Sequence, residues 1–298
     1  MQIDQLKEKY QSSALSYRLL GKKQESLLLI LSFLRFFTFF GGLTLIWIGF
    51  TMSTLAGGIL ILVLTVIFLS LVKLFLINSA KKEFLGNLAQ INQNEADALS
   101  GNLSAFESGS SYTDIRHDFS FDIDLFGASS LFQYLNRTVT GYGRDILASW
   151  LSDPFILSKE LLLRQEAIKE LTSKDKWRHK FMASGMKIPL EKGEISGLLK
   201  WLDEKTVIYS SSFNRFLIFS LTALAVGSLL FVAIGLVPYP VFVFIFLINL
   251  LYVATGLKRI NRIHNALTRK YNFLSSMNGL LLAFEDESFT SSLLNDIK

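Results

Sequence analysis

Residues 36–72 read FFTFFGGLTLIWIGFTMSTLAGGILILVLTVIFLSLV, 37 residues without one charged side chain. A bilayer's hydrocarbon core takes roughly 20 apolar residues per helical span, so this stretch has the length of two spans and a turn. Residues 216–257 repeat the pattern over 42 residues: FLIFSLTALAVGSLLFVAIGLVPYPVFVFIFLINLLYVATGL. The two stretches predict an all-α integral membrane protein, in which two transmembrane helical hairpins flank a soluble helical segment.

Composition agrees with that division. The 298 residues are 50% hydrophobic, 26 of them Phe, and only 18% charged, below the quarter that soluble domains carry. Mean hydropathy is +0.38. There is no cysteine, which excludes a disulfide framework and a thiolate metal site. His117, His179 and His264 lie far apart and form no ligand-spaced group. No acidic residue falls inside either apolar stretch, so a proton or cation relay has no carrier and a small-solute transporter has little support.

The net charge of +5 is placed, not spread. Lys7, Lys9, Arg18, Lys22, Lys23 and Arg35 precede the first apolar stretch, and Lys73, Lys81 and Lys82 follow it. Arg215 precedes the second; Lys258, Arg259, Arg262, Arg269 and Lys270 follow it. The turns near Thr51 to Thr54 and Val237 to Pro240 contain none. Lys and Arg collect on the cytoplasmic side of spans. The expectation is a multi-pass protein of the inner membrane, with both termini and the middle segment cytoplasmic and the cations at lipid headgroups. Arg35 is expected to snorkel to that boundary.

Periodicity and punctuation divide the chain further. Residues 1–26 read as an amphipathic helix, 27–77 as the first hairpin, and 78–118 as a helix and a flexible Ser/Gly linker. Gly41-Gly42 and Gly57-Gly58 permit close approach of the two spans. Residues 119–213 read as a compact helical domain of four helices. The first places Ile146, Leu147, Trp150 and Leu151 on one face and stops at Asp153-Pro154. The second, capped by Ser158, repeats Leu161, Leu162, Ile168 and Leu171. A third carries Trp177 and Phe181 and ends at Gly185, and a fourth spans about 195–203. Residues 214–257 form the second hairpin, turning at Pro238-Tyr239-Pro240. Residues 258–298 form an amphipathic helix that runs on from it and is expected to stop within an element.

Residues 122–154, DIDLFGASSLFQYLNRTVTGYGRDILASWLSDP, carry a resemblance. Leu131, Leu135, Asn136-Arg137-Thr138, Thr140 and Gly141, then Trp150-Leu151 and Pro154, resemble the opening of the core domain of the DNA mismatch repair MutS family. Arg164-Gln165-Glu166-Ala167-Ile168 is similar to the segment that follows there. The likeness covers about 60 residues and is closest to the membrane-anchored branch, whose spans flank the core. Read from the residues alone, the motif is structural. Thr138 and Thr140 are candidate helix caps. Arg137 and Arg144 are positioned to bridge to acids such as Asp145. Gly141-Tyr142-Gly143 lacks the spacing and preceding strand of a phosphate loop.

The resemblance implies an ATPase in full-length relatives, built on a G-x-x-x-x-G-K-[ST] loop. No such loop occurs in these residues, so no catalytic residue is expected, and ATP and Mg²⁺ are expected only with an ATPase domain beyond them. The chain reads as a core and lever fragment, a scaffold coupling such a domain to DNA or a protein partner, with a homodimer admitted by the likeness. The alternative is a DNA-binding module. Its phosphate contacts would be Lys174, Lys176, Arg178 and Lys180, and Lys258, Arg259 and Arg262, which equally suit lipid. No small-molecule substrate is evident.

Overall fold

The computed structural model describes residues 2–153, 158–186 and 212–298. Among them the regular elements are helical and no strand occurs. In chain order they are α1 (Gln2–Met52), α2 (Thr54–Ala98), α3 (Leu131–Leu135), α4 (Gly141–Ser152), α5 (Ser158–Ser173), α6 (Asp175–Gly185), α7 (Ser212–Ala233), α8 (Tyr239–Glu285) and α9 (Ser292–Ile297). The chain forms two compact units, Met1–Glu191 with Ser276–Lys298, and Lys192–Ser275. Residues 119–191 of the helical domain read from the sequence thus share a unit with the first hairpin and the C-terminal turns, while 192–213 fall in the other.

Helices α1 and α2 are antiparallel and interrupted only at Ser53. Its backbone is extended, and its Oγ accepts from Ala56 N at 3.1 Å, capping α2. At 1.5 Å per residue the helices run roughly 75 and 70 Å. Contacts along them keep one register: Phe39 lies 6.3 Å from Phe68, and Arg18 Nη2 donates to Gln93 Oε1 at 3.2 Å. Near the tip the backbones close in on glycine. A Cβ on Gly57 would stand 2.6 Å from the Phe50 ring, and one on Gly49 would stand 2.6 Å from Leu60. Around this seam the surface is apolar and open, with Trp47 72% and Phe37 66% exposed. Both helices are long and apolar enough to cross a membrane.

The second unit contains α7 and the greater part of α8. Helix α7 ends in a Schellman turn: Gly235 takes φ +77°, Leu236 N donates to Phe231 O at 2.9 Å, and Gly235 N donates to Val232 O at 3.0 Å. The turn therefore begins before the expected Pro238-Tyr239-Pro240. Pro240 instead sits in the first turn of α8, where a missing N–H leaves no bond unmade. A Cβ on Gly227 of α7 would meet nothing within 4 Å. The shorter apolar helices here are Phe216–Val232 and Tyr239–Ala254. Helix α8 continues from the apolar segment as far as Glu285 and α9 begins only at Ser292, so the single helix expected over 258–298 is broken between them.

Among the described residues the core of the first unit shows three small clusters. Leu125, Phe126, Phe132 and Ala148 form one, with Tyr112 and Leu147 against it. Leu88, Ile91 and Ala183 join α2 to α6. Ala167, Phe289 and Leu294 join α5 to the C-terminal turns, with Trp177 alongside. In α4 the buried stripe is Leu147, Ala148 and Leu151, while Ile146 and Trp150 are each 49% exposed. Leu161, Leu162 and Ile168 of α5 are also exposed, leaving Ala167 and Leu171 to pack. Trp177 and Phe181 stack 5.3 Å apart on α6 as anticipated. The fourth expected helix, about 195–203, and Pro154 lie outside the described residues.

The native chain has no cysteine, so a Phe39→Cys/Phe68→Cys pair reports on the hairpin cleanly. Mild oxidation is expected to cross-link it rapidly. Adding Gly57→Leu, which drives a side chain into the Phe50 ring, is expected to slow the cross-link at least several-fold. Unchanged cross-linking kinetics would contradict the glycine seam.

Candidate functional site

The family-like motif folds as a turn between α3 and α4, tied on three sides. Ser130 caps α3 by accepting from Gln133 N at 3.2 Å. Asn136 closes it and is 3% exposed. Its Oδ1 accepts from Thr138 N at 3.1 Å and Thr138 Oγ1 at 2.7 Å, an Asx turn that ends the helix and aims the chain onward. Its Nδ2 donates to Glu107 O at 3.1 Å.

Arg137 is the centre of the arrangement. Nε donates to Glu95 Oε1 at 2.6 Å and Nη2 to Glu95 Oε2 at 3.1 Å, a two-pronged pair with α2. Nη1 donates to Tyr134 O at 2.9 Å and Asn136 O at 3.2 Å. The guanidinium lies 3.6 Å from the centroid of Phe106. Arg144 pairs with Glu107. The expected partner of these arginines, Asp145, instead accepts from Tyr112 OH at 2.8 Å. Burial first, then that hydrogen bond, pushes the Tyr112 phenol up to about 12.

Thr140 caps α4 by accepting from Gly143 N at 3.0 Å, which fulfils one of the two expected caps. Thr138 is not a cap, because Asn136 takes its hydroxyl proton. With Gly143 N occupied, the Gly141-Tyr142-Gly143 segment has one fewer donor for an anion. A cleft of about 290 Å³ opens beside the turn, lined by Ile91, Asn94, Glu95, Phe106, Arg137 and Met182 among others. Each arginine at its wall is matched by a glutamate, so the cleft offers little field for a phosphate. Among the described residues no three His, Asp or Glu side chains converge as a metal site. The geometry makes a joint between helices.

Of the remaining motif residues, Arg164 and Trp150 brace this joint. Leu131 and Leu135 are exposed at 50% and 43%. Arg164 of α5 lies 4.2 Å over the Trp150 ring and fastens α5 to α4; Gln165 is exposed. Of the basic cluster, Lys174 is turned inward, donating to Glu287 Oε1 and to Ser288 O at 2.7 Å. Lys176, Arg178 and Lys180 remain exposed. Lys258, Arg259 and Arg262 fall on α8, with their side chains outside the described set.

Glu95, Glu107 and Gln133, which sequence reasoning missed, and Glu170, whose partners it did not foresee, complete the arrangement. Glu95 and Glu107 neutralise the arginines, and Gln133 Nε2 donates to Leu103 O at 3.1 Å and Phe106 O at 2.8 Å. Glu170 accepts from Thr290 N and Ser291 N, each at 2.8 Å, holding the start of α9. No local spacing announces them, since Glu95 precedes Arg137 by 42 positions.

Helix α6 closes the joint against α1 and α2. Lys9 Nζ donates to Asp175 Oδ2 at 2.6 Å, Asn87 Nδ2 to Ala183 O at 3.2 Å, and His179 lies 5.8 Å from Tyr10. The bond to Lys9 pulls Asp175 down, and the backbone bond from Ser291 pulls Glu170 down. Burial lowers His179.

A helical core whose motif residues tie one helix to the next defines a structural domain. The family model for MutS domain III matches residues 113–288, more than half of the chain, and the chain belongs to that family. The match encloses the second apolar stretch. No curated protein and no solved structure matches the chain.

Two predictions follow from this geometry. Glu95→Gln or Arg137→Ala should lower stability by about 2 kcal/mol, since each strands a partly buried partner. Arg137→Lys should recover little of it, because an ammonium cannot fork. Denaturant titration checks both. With His179 held below 6.5, the unfolded chain takes up its proton first as pH falls, so stability is complete above pH 6.5 and drops below it. His179→Gln should flatten that step in thermal melts across pH, leaving a second loss below about pH 4.5 where Glu170 and Asp175 protonate.

Proposed function

We propose that the chain is the membrane-held core and lever portion of a MutS-like protein. It acts as a scaffold, coupling an ATPase domain supplied outside these residues to DNA or a protein partner, and does no chemistry itself. The observation that carries this reading is the composition of α2. One continuous helix bears the exposed apolar half of the hairpin and, toward its other end, the Glu95 carboxylate gripped by Arg137. A force applied to the motif turn is therefore delivered to the apolar pair, and the reverse.

Membrane anchoring is supported by the open apolar surface of that pair. Soluble monomers seldom expose more than a few hundred Å² of contiguous apolar area, and here rings such as Phe37 and Trp47 face outward along both helices. The cations flanking each apolar stretch support an orientation with the core cytoplasmic at the inner membrane. ATP and Mg²⁺ belong to the ATPase domain in this reading, and a homodimer is admitted by family.

A DNA-binding role for the core is the second reading, favoured by the exposed Lys176, Arg178 and Lys180 of α6. The full chain, expressed in cells, is expected to stay with membranes through alkaline carbonate extraction; release into the supernatant would defeat the anchoring. Titration with labelled duplex at stepped salt separates the two readings. Binding that weakens steeply with salt, and is lost in Lys176→Gln/Arg178→Gln/Lys180→Gln, would establish the DNA module. Undetectable binding leaves the scaffold.

A further inference from the structure

Below its uncharged tip, the α1–α2 hairpin carries a collar of opposite character. Lys22, Lys23, Arg35, Lys73, Lys81 and Lys82 fall within residues 22–35 and 73–83, against only Glu25 and Glu83. The antiparallel register brings these segments to one level. Lys82 Nζ reaches Glu25 Oε1 at 3.1 Å, and the Arg35 guanidinium lies 3.9 Å from the centroid of Phe75. Lys22, Lys23, Lys73 and Lys81 are exposed and make no ion pair among the described residues. Large apolar side chains are interleaved with them: Leu29 is 59%, Phe33 64%, Leu76 62% and Ile77 54% exposed.

A surface that is cationic and greasy at once, wrapped around both helices, suits the boundary between acyl chains and headgroups. The lengths agree. Residues 36–52 and 54–72 span about 25 to 30 Å of helix, close to the ~30 Å hydrocarbon thickness. The collar adds roughly 15 to 20 Å, which covers the headgroup layer and one Debye length of the surface field beyond it. Duplex DNA would match the cations but leave the interleaved Leu, Ile and Phe in water.

We propose that this collar binds anionic phospholipid headgroups, so that the hairpin selects such lipids as its immediate neighbours. The inference rests on the membrane reading above. The full chain is reconstituted in phosphatidylcholine with trace spin-labelled phosphatidylglycerol or phosphatidylcholine, and electron paramagnetic resonance measures the immobilised fraction of each probe. The glycerol lipid should be preferred by roughly three- to tenfold at low salt. Lys22→Gln/Lys23→Gln/Lys81→Gln should bring the two probes near parity, while the matching Lys→Arg triple variant keeps the preference.

Equal immobilisation of both probes by the native chain, or a preference untouched in the Gln variant, would overturn the collar while leaving insertion intact. No immobilised lipid with either probe would overturn the membrane reading and the collar together. Loss of duplex binding in the Gln variant with lipid preference unchanged would assign these cations to nucleic acid and overturn the proposal.

Discussion

The forked pair between Arg137 and Glu95 is the constraint on which the first unit turns. A planar guanidinium presents its donors in fixed directions, and here those directions are used by a carboxylate on α2 and two carbonyls of the turn, with one face on Phe106. The carboxylate is 17% and the guanidinium 26% exposed, so neither is fully stripped of water and the charge-assisted bonds outweigh desolvation. Position follows from this. The end of α3, the start of α4 and the segment carrying Phe106 are referred to one helix that also forms half of the apolar hairpin.

Around that pair, side chains supplement the backbone bonds of residues 99–130, whose regular structure is a single 3-10 turn at Ser110–Tyr112. A buried carbonyl without a donor is costly. Gln133 and Asn136 cover those of Leu103, Phe106 and Glu107, and His117 Nδ1 accepts from Ser120 N at 3.2 Å. Helix α3 spans five residues, too few to persist on propensity alone; Phe132, fully buried in its cluster, holds it. The C-terminal turns obey the same logic. Glu170 supplies acceptors to the first N–H groups near α9, and Trp177 Nε1 donates to Ala283 O at 2.8 Å while its ring meets Phe289.

Some of this was legible in the sequence. Uncharged runs and a 3.6-residue period identify helices, the Thr140 cap is local chemistry, and Trp177 with Phe181 is a one-turn spacing. The face of α4 was not, because 146/150 and 147/151 are equally good periods and only Ala148, small and buried, decides between them. Ser and Gly between 100 and 111 suggested a loose linker, since composition registers chain flexibility but not the distant amides that fasten it. The partners of Arg137 and Arg144 were hidden for a related reason. Proximity in sequence favoured Asp145, whereas the fold brings Glu95 from another helix and leaves Asp145 to Tyr112.

The turn between α1 and α2 consists of Ser53 alone, already committed to capping the second helix. In an inserted hairpin, that leaves almost nothing standing clear of the distal leaflet. Proteases, antibodies and soluble ligands approaching from that compartment would find no loop to grasp. In that setting the hairpin would sense bilayer thickness and lateral pressure, and would present no receptor face.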